Sequence, residues 1–155
     1  MTHQVITNRL DALNAVEQYL KEQLQAVMDS WKALEESNQS SEKSTAGDDH
    51  DTERAMLHIE METLHQQIVR MEQMIEVVTA LMQPRPEQSN ISQGSLVSTS
   101  QGNYLIGLAC GKVVTAEGSI LGISKESPLA QQLLGKSVGE SISINGNAFS
   151  ILSIL

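Results

Sequence analysis

At 155 residues the chain has room for one ordinary domain or two small ones, and 19 Asp and Glu against 10 Lys and Arg leave it a net charge of −9. All of that charge lies in residues 1–90, with 16 acidic and 7 basic side chains, while residues 91–155 hold 3 of each; such an acidic half repels a phosphate backbone and attracts a basic protein groove or a metal ion. The lone Cys110 excludes an internal disulfide, no apolar run approaches the ~20 residues of a membrane span, and the first residues lack the basic cluster and apolar stretch of a secretory signal.

A cytoplasmic location is therefore expected, where the sequon Asn90-Ile91-Ser92 carries no meaning. Between residues 10 and 34 the apolar residues Leu10, Leu13, Val16, Leu20, Leu24, Val27, Trp31 and Leu34 recur at helical spacing, with Glu17 the one polar residue where Leu10, Leu24 and Trp31 set the register. Residues 57–82 repeat the pattern more strictly, as Leu57, Met61, Leu64, Ile68, Met71, Ile75, Val78 and Met82, alternating steps of four and three without a miss. The stretch from Ser37 to Asp49 is rich in Ser, Asn, Gly and charge, so it reverses the chain without joining either seam. Two seams of similar length predict an antiparallel coiled-coil hairpin over residues 1–88, about 45 Å long at ~1.5 Å rise per residue, with its acidic tip near 44–54.

Near Gln83 to Gln93 the composition changes, and residues 89–155 read as a second domain. Gly recurs every few residues, and Ser95–Ser100, Asn103–Cys110 and Ser119–Ser124 alternate as strands do, with Gln101-Gly102-Asn103 turning the first run onto the second. Asn145-Gly146 between Ser141–Ile144 and Asn147–Leu155 predicts a hairpin closed by a type I′ turn. One short helix is expected over Ser127–Leu134, with Ser127 as N-cap, Pro128 at the first helical position, Gly135 as stop, and Leu129, Leu133 and Leu134 facing the core. The fold class is α+β, a long helical hairpin followed by a small antiparallel sheet carrying one helix.

The stretch Ile123-Ser-Lys-Glu-Ser-Pro-Leu-Ala-Gln-Gln-Leu-Leu-Gly-Lys-Ser-Val-Gly-Glu, ending at Glu140, resembles the C-terminal domain of the Gre transcript-cleavage factors, whose pattern is of the kind I-S-x-x-S-P-L-x-x-x-L-x-G-K-x-x-G-D/E. The resemblance implies an FKBP-like fold for the C-terminal domain, and an acidic helical hairpin ahead of it is that family's other half. It further implies a partner, RNA polymerase. The C-terminal domain would dock at the rim of the polymerase's secondary channel, here through Ser127, Pro128, Leu129 and Lys136, and the hairpin tip would enter the channel beside the catalytic Mg²⁺.

The matching tip is Ala46-Gly-Asp-Asp-His-Asp-Thr-Glu-Arg54, and the family's G-D-x-x-E spacing falls on Gly47, Asp48 and Asp51. Mg²⁺ takes hard oxygen ligands and keeps several waters, so one or two carboxylates suffice to help hold an ion that the polymerase shares and to aim its water at a phosphodiester. In that role Asp48 and Asp51 assist the polymerase's own site, and the free protein is neither an enzyme nor a holder of metal. Asp stands at 51 where the family usually has Glu, and Thr52-Glu53-Arg54-Ala55 stands where it has an N-A-E-Y-like run. Those departures keep open a non-cleaving regulator of the same shape, and a coiled-coil adaptor with no polymerase partner is a further alternative. A monomer is expected, without sequence-specific nucleic-acid binding.

Other motifs have plainer explanations. Acids at 48, 49, 51 and 53 also suit a helix N-terminus. The Glu62 and His65 pair lacks the second copy that a di-iron bundle needs, and His58 and His65 lie a heptad apart, too far to share a metal. Met61, Met71 and Met82 occupy seam positions, as does Trp31, and Cys110 ends an apolar strand. Gly135-Lys136-Ser137 follows a helix and lacks the earlier Gly of a phosphate loop, and Tyr104 and Phe149 are too few aromatics to line a prolyl isomerase site.

Overall fold

A computed structural model describes residues 4–42 and 48–155, with side chains for 4–39 and 51–155. Two long helices, α1 (Arg9–Glu42) and α2 (Asp48–Leu81), precede six strands, β1 (Leu96–Thr99), β2 (Gly102–Ile106), β3 (Gly111–Thr115), β4 (Gly118–Ile123), β5 (Ser141–Ile144) and β6 (Asn147–Ile154), with the short α3 (Pro128–Leu133) between β4 and β5. The chain is thus α+β. It forms two compact units, Leu20–Ile75 on the one hand and Met1–Tyr19 with Glu76–Leu155 on the other.

In the unit Leu20–Ile75 the seam residues Leu24, Val27, Trp31, Leu34, Leu57, Met61, Leu64, Ile68, Met71 and Ile75 are half-buried. Their immediate neighbours are mostly exposed, which is the burial that a narrow apolar stripe produces. Helix α1 runs on to Glu42, so the first residues of the expected connector, Ser37 onward, are helical. Polar side chains exclude a residue from an apolar seam, but they do not prevent its backbone from continuing an i to i−4 ladder. Asn38 extends the seam spacing past Leu34 and is half-buried, with an Oδ1 that has no hydrogen-bond partner among the described residues.

In the other unit the foot of α1 buries Ala12, Leu13 and Val16, whereas Leu10 is 51% exposed, so the seam register fails at its first residue. Residues 4–9 are held by the sheet instead: Ile6 N–H donates to Ser98 Oγ at 3.1 Å and Asn103 Nδ2 donates to Gln4 O at 3.0 Å. Glu17 Oε2 accepts from Thr79 Oγ1 at 2.9 Å, which accounts for the one polar residue in the stripe.

The sheet order is β3-β4-β2-β1-β6-β5. It is mixed, not antiparallel as the sequence predicts, because β2 and β4 pair in parallel, Asn103 opposite Ile120 through Ile106 opposite Ile123. The chain leaves β2, crosses to the sheet edge as β3, and returns as β4 between the two. Residues 108–110 must therefore pass across β4, and they do so at Gly122: a Cβ there would overlap Leu108 O and Cys110 Sγ. Only a residue without a side chain lets the crossing close.

The β5–β6 hairpin forms as predicted, with Asn145 and Gly146 at φ of 51° and 81°, the left-handed pair of a type I′ turn. Ile91, Val97, Ile106, Ala130, Leu133, Ile142 and Ile151 make the core that α3 closes, with Leu129 and Leu134 packed against it. The expected helix start is also in place, since Ser127 Oγ accepts from Ala130 N at 3.2 Å and Pro128 occupies the first turn.

Candidate functional site

Asp48 opens α2 and Asp51 follows three residues later in the same helix, so their backbones lie on one helical face, about 4.5 Å apart along the axis at ~1.5 Å rise per residue. Asp51 and Glu53 are exposed; Ala46 and Gly47, and the side chain of Asp48, lie outside the described residues. Carboxylates are hard oxygen donors of the kind Mg²⁺ takes, and the exposed Asp51 would supply one of them. Among the described residues no group of three or more His, Cys, Asp and Glu side chains gathers into a metal cluster. A divalent ion at this place would draw most of its ligands from a partner and from water. Glu62, His58 and His65 are all exposed on α2.

The four residues expected to dock a partner divide by environment. Ser127 is engaged as the cap of α3 and Leu129 packs against the core, whereas Pro128 is exposed. Lys136 Nζ lies 3.9 Å from a Glu140 carboxylate oxygen in a solvent-facing pair. Its backbone does more: Lys136 O accepts from Ile91 N at 2.8 Å, and Gly135 N donates to Ile91 O at 2.8 Å. The segment entering the sheet is thereby fastened to the end of α3. Just before α3, the Ser124 hydroxyl at 2.6 Å from Glu126 Oε2 holds that carboxyl below its usual range.

Sequence periodicity gave no sign of two polar anchors at the other edge of this unit. Glu117, in the β3–β4 turn, accepts from Thr7 N at 3.0 Å, from Thr7 Oγ1, and from Asn8 N at 2.9 Å. The Thr7 hydroxyl and then the Asn8 N–H hold the Glu117 carboxyl below its usual range. Arg9 Nη1 donates to Gly94 O at 2.7 Å and to Leu155 O at 3.1 Å, while Nη2 donates to Leu81 O at 3.3 Å. Burial, and then the neighbouring Arg85 guanidinium, lower the Arg9 pKa. Pairs such as Asn8 with Asp11, which a capping pattern reveals, were the available signal for where α1 begins.

Cys110 is buried, and burial pushes its thiol pKa up, so it is a poor nucleophile. Tyr104 packs edge-on to Phe149 with ring centroids 6.3 Å apart, and no further aromatic residue exists in residues 91–155. Among the described residues no helix is long and apolar enough to cross a membrane.

No family model matches the chain, and no curated protein matches it.

Proposed function

We propose that the chain is a Gre-like regulator of transcription elongation. It docks on RNA polymerase through an FKBP-like C-terminal domain and inserts the acidic end of an antiparallel coiled-coil hairpin into the secondary channel, where it modulates cleavage of backtracked RNA. The observation that carries this reading is the placement of Asp48 and Asp51 one turn apart at the start of α2. The resemblance of Ile123 to Glu140 supports it independently, since those residues supply the capped helix α3 and the turn that grips Ile91.

Magnesium, when bound there together with the polymerase, supplies an electrophilic centre for phosphodiester hydrolysis. This chain's part is to bring carboxylate oxygens on a helix start. The protein is a cofactor of the polymerase's own chemistry and not a free-standing enzyme. Its place of action is the cytoplasm.

A second reading has an observation of its own. Asp51 stands where the family has Glu, which withdraws the carboxylate by one methylene, roughly 1 to 1.5 Å. A regulator that occupies the channel without stimulating cleavage follows from that shortening. Measuring the affinity of the labelled chain for core RNA polymerase together with the rate of transcript cleavage, with and without Asp48→Ala, separates the readings, since an occluding regulator binds without speeding cleavage. A channel factor keeps its affinity and loses its effect on transcription, and an adaptor shows no affinity for the polymerase at all.

A further inference from the structure

The unit Leu20–Ile75 has an open apolar groove of about 380 Å³ between α1 and α2. Met28, Trp31 and Lys32 line it from α1 and Ile68 lines it from α2, with the acids Asp29 and Glu35 beside them. Trp31, the only tryptophan in the chain, is half-buried there as the other seam residues of this unit are, and Met28, which also lines the groove, is 44% exposed. Asp29 is also held in place, since Gln25 Nε2 donates to its Oδ1 at 2.9 Å.

A tryptophan with an adaptable methionine beside it is the composition of an anchor pocket: aromatic residues carry a large share of interface energy, and methionine reshapes to its partner. Charge selects the kind of partner. The unit holds 12 Asp and Glu against 5 Lys and Arg, a net of −7, and the groove itself is lined by two of those acids, Asp29 and Glu35, against one base, Lys32. A neutral or acidic segment would meet an unfavourable field there, and a basic one would be drawn in.

We infer that the Met28–Trp31–Ile68 groove is a second contact site, one that takes an aliphatic or aromatic side chain flanked by Lys or Arg on the partner. That partner is RNA polymerase, so the inference rests on the function proposed above.

The test measures affinity of the full chain for core RNA polymerase by anisotropy of a fluorophore on the chain, at two salt concentrations. The substitutions are Met28→Lys, the double change Asp29→Asn with Glu35→Gln, and Ile59→Lys, the last at a 68% exposed residue outside the groove. Circular dichroism establishes that each variant is folded. The expected result is a loss of about tenfold for Met28→Lys, a weaker and less salt-dependent interaction for the Asp29 and Glu35 variant, and a change within about twofold for Ile59→Lys. Full affinity in both groove variants would overturn the second contact site while leaving the polymerase reading intact. Self-association of the native chain in sedimentation, abolished by Met28→Lys, would assign the groove to a second copy and overturn it as well. If the native chain does not bind the polymerase, both the proposed function and this contact fall together.

Discussion

Glu117 receives the backbone N–H of Asn8 at 2.9 Å, and through it the turn between β3 and β4 holds the start of α1. Asn8 is in turn the cap of that helix, its Oδ1 accepting from Asp11 N at 3.0 Å. A carboxylate on the partially positive end of a helix is favoured electrostatically as well as by its hydrogen bonds. The arrangement makes a surface turn of the sheet a determinant of where the long helix begins.

The Glu117 carboxyl has a folded-state pKa below the usual 4.5, so its contribution to stability is complete above that value and is lost as pH falls through the lower folded value. Glu117→Gln is expected to lower the melting temperature at pH 7, with the gap from the native chain closing in melts taken below the carboxylate range. Asn8→Ala removes the cap alone and is expected to cost about 1 kcal/mol in urea denaturation.

Gly122 is where the chain crosses β4, and a methyl group there meets Leu108 O and Cys110 Sγ. Gly122→Ala is expected to cost roughly 1 to 3 kcal/mol, the usual range for overpacking, with the loss read as a lower denaturation midpoint at unchanged slope. Unchanged stability would mean that the 108–110 crossing has slack.

Ser127 lies in the stretch that resembles the Gre pattern, yet its hydroxyl is committed to the Ala130 N–H. Ser127→Ala is expected to cost about 1 kcal/mol of stability, and Ser127→Asp, which caps equally well, to restore it. If polymerase affinity follows the same order as stability, the residue acts by holding α3; if Ser127→Asp binds poorly while folding well, the hydroxyl itself meets the partner.

The elements that could be read in advance were those whose signals are local. The Asn145-Gly146 turn, the Ser127-Pro128 helix start and the seam residues from Leu57 to Val78 each carry their information within a few positions, and the structure follows them. The crossing at Gly122 pairs segments whose partner strands are separated in sequence, and no period or turn residue specifies a parallel neighbour. The β3–β4 hairpin does carry a local mark in the sequence. Thr99 Oγ1 donates to Gly102 O at 2.9 Å and Thr115 Oγ1 to Gly118 O at 2.7 Å, so the two T-x-x-G segments close their turns by the same hydrogen bond. The exposure of Leu10 has a different origin: there α1 answers to its ties with the sheet, and the apolar repeat does not record them. At the candidate site the spacing of Asp48 and Asp51 was legible because helical geometry converts it directly into a shared face, whereas the Trp31 groove depends on how far two seams cover each other.

In the function proposed above, Asp48 and Asp51 act on the polymerase's own cleavage reaction. The most direct measurement is the rate of transcript cleavage in stalled, backtracked complexes of the host's RNA polymerase, with the native chain and with the Asp48→Ala, Asp51→Ala double variant. The account predicts a changed cleavage rate with the native chain and no change with the variant, which still binds. Identical rates with native chain, variant and no addition, despite binding, would contradict it.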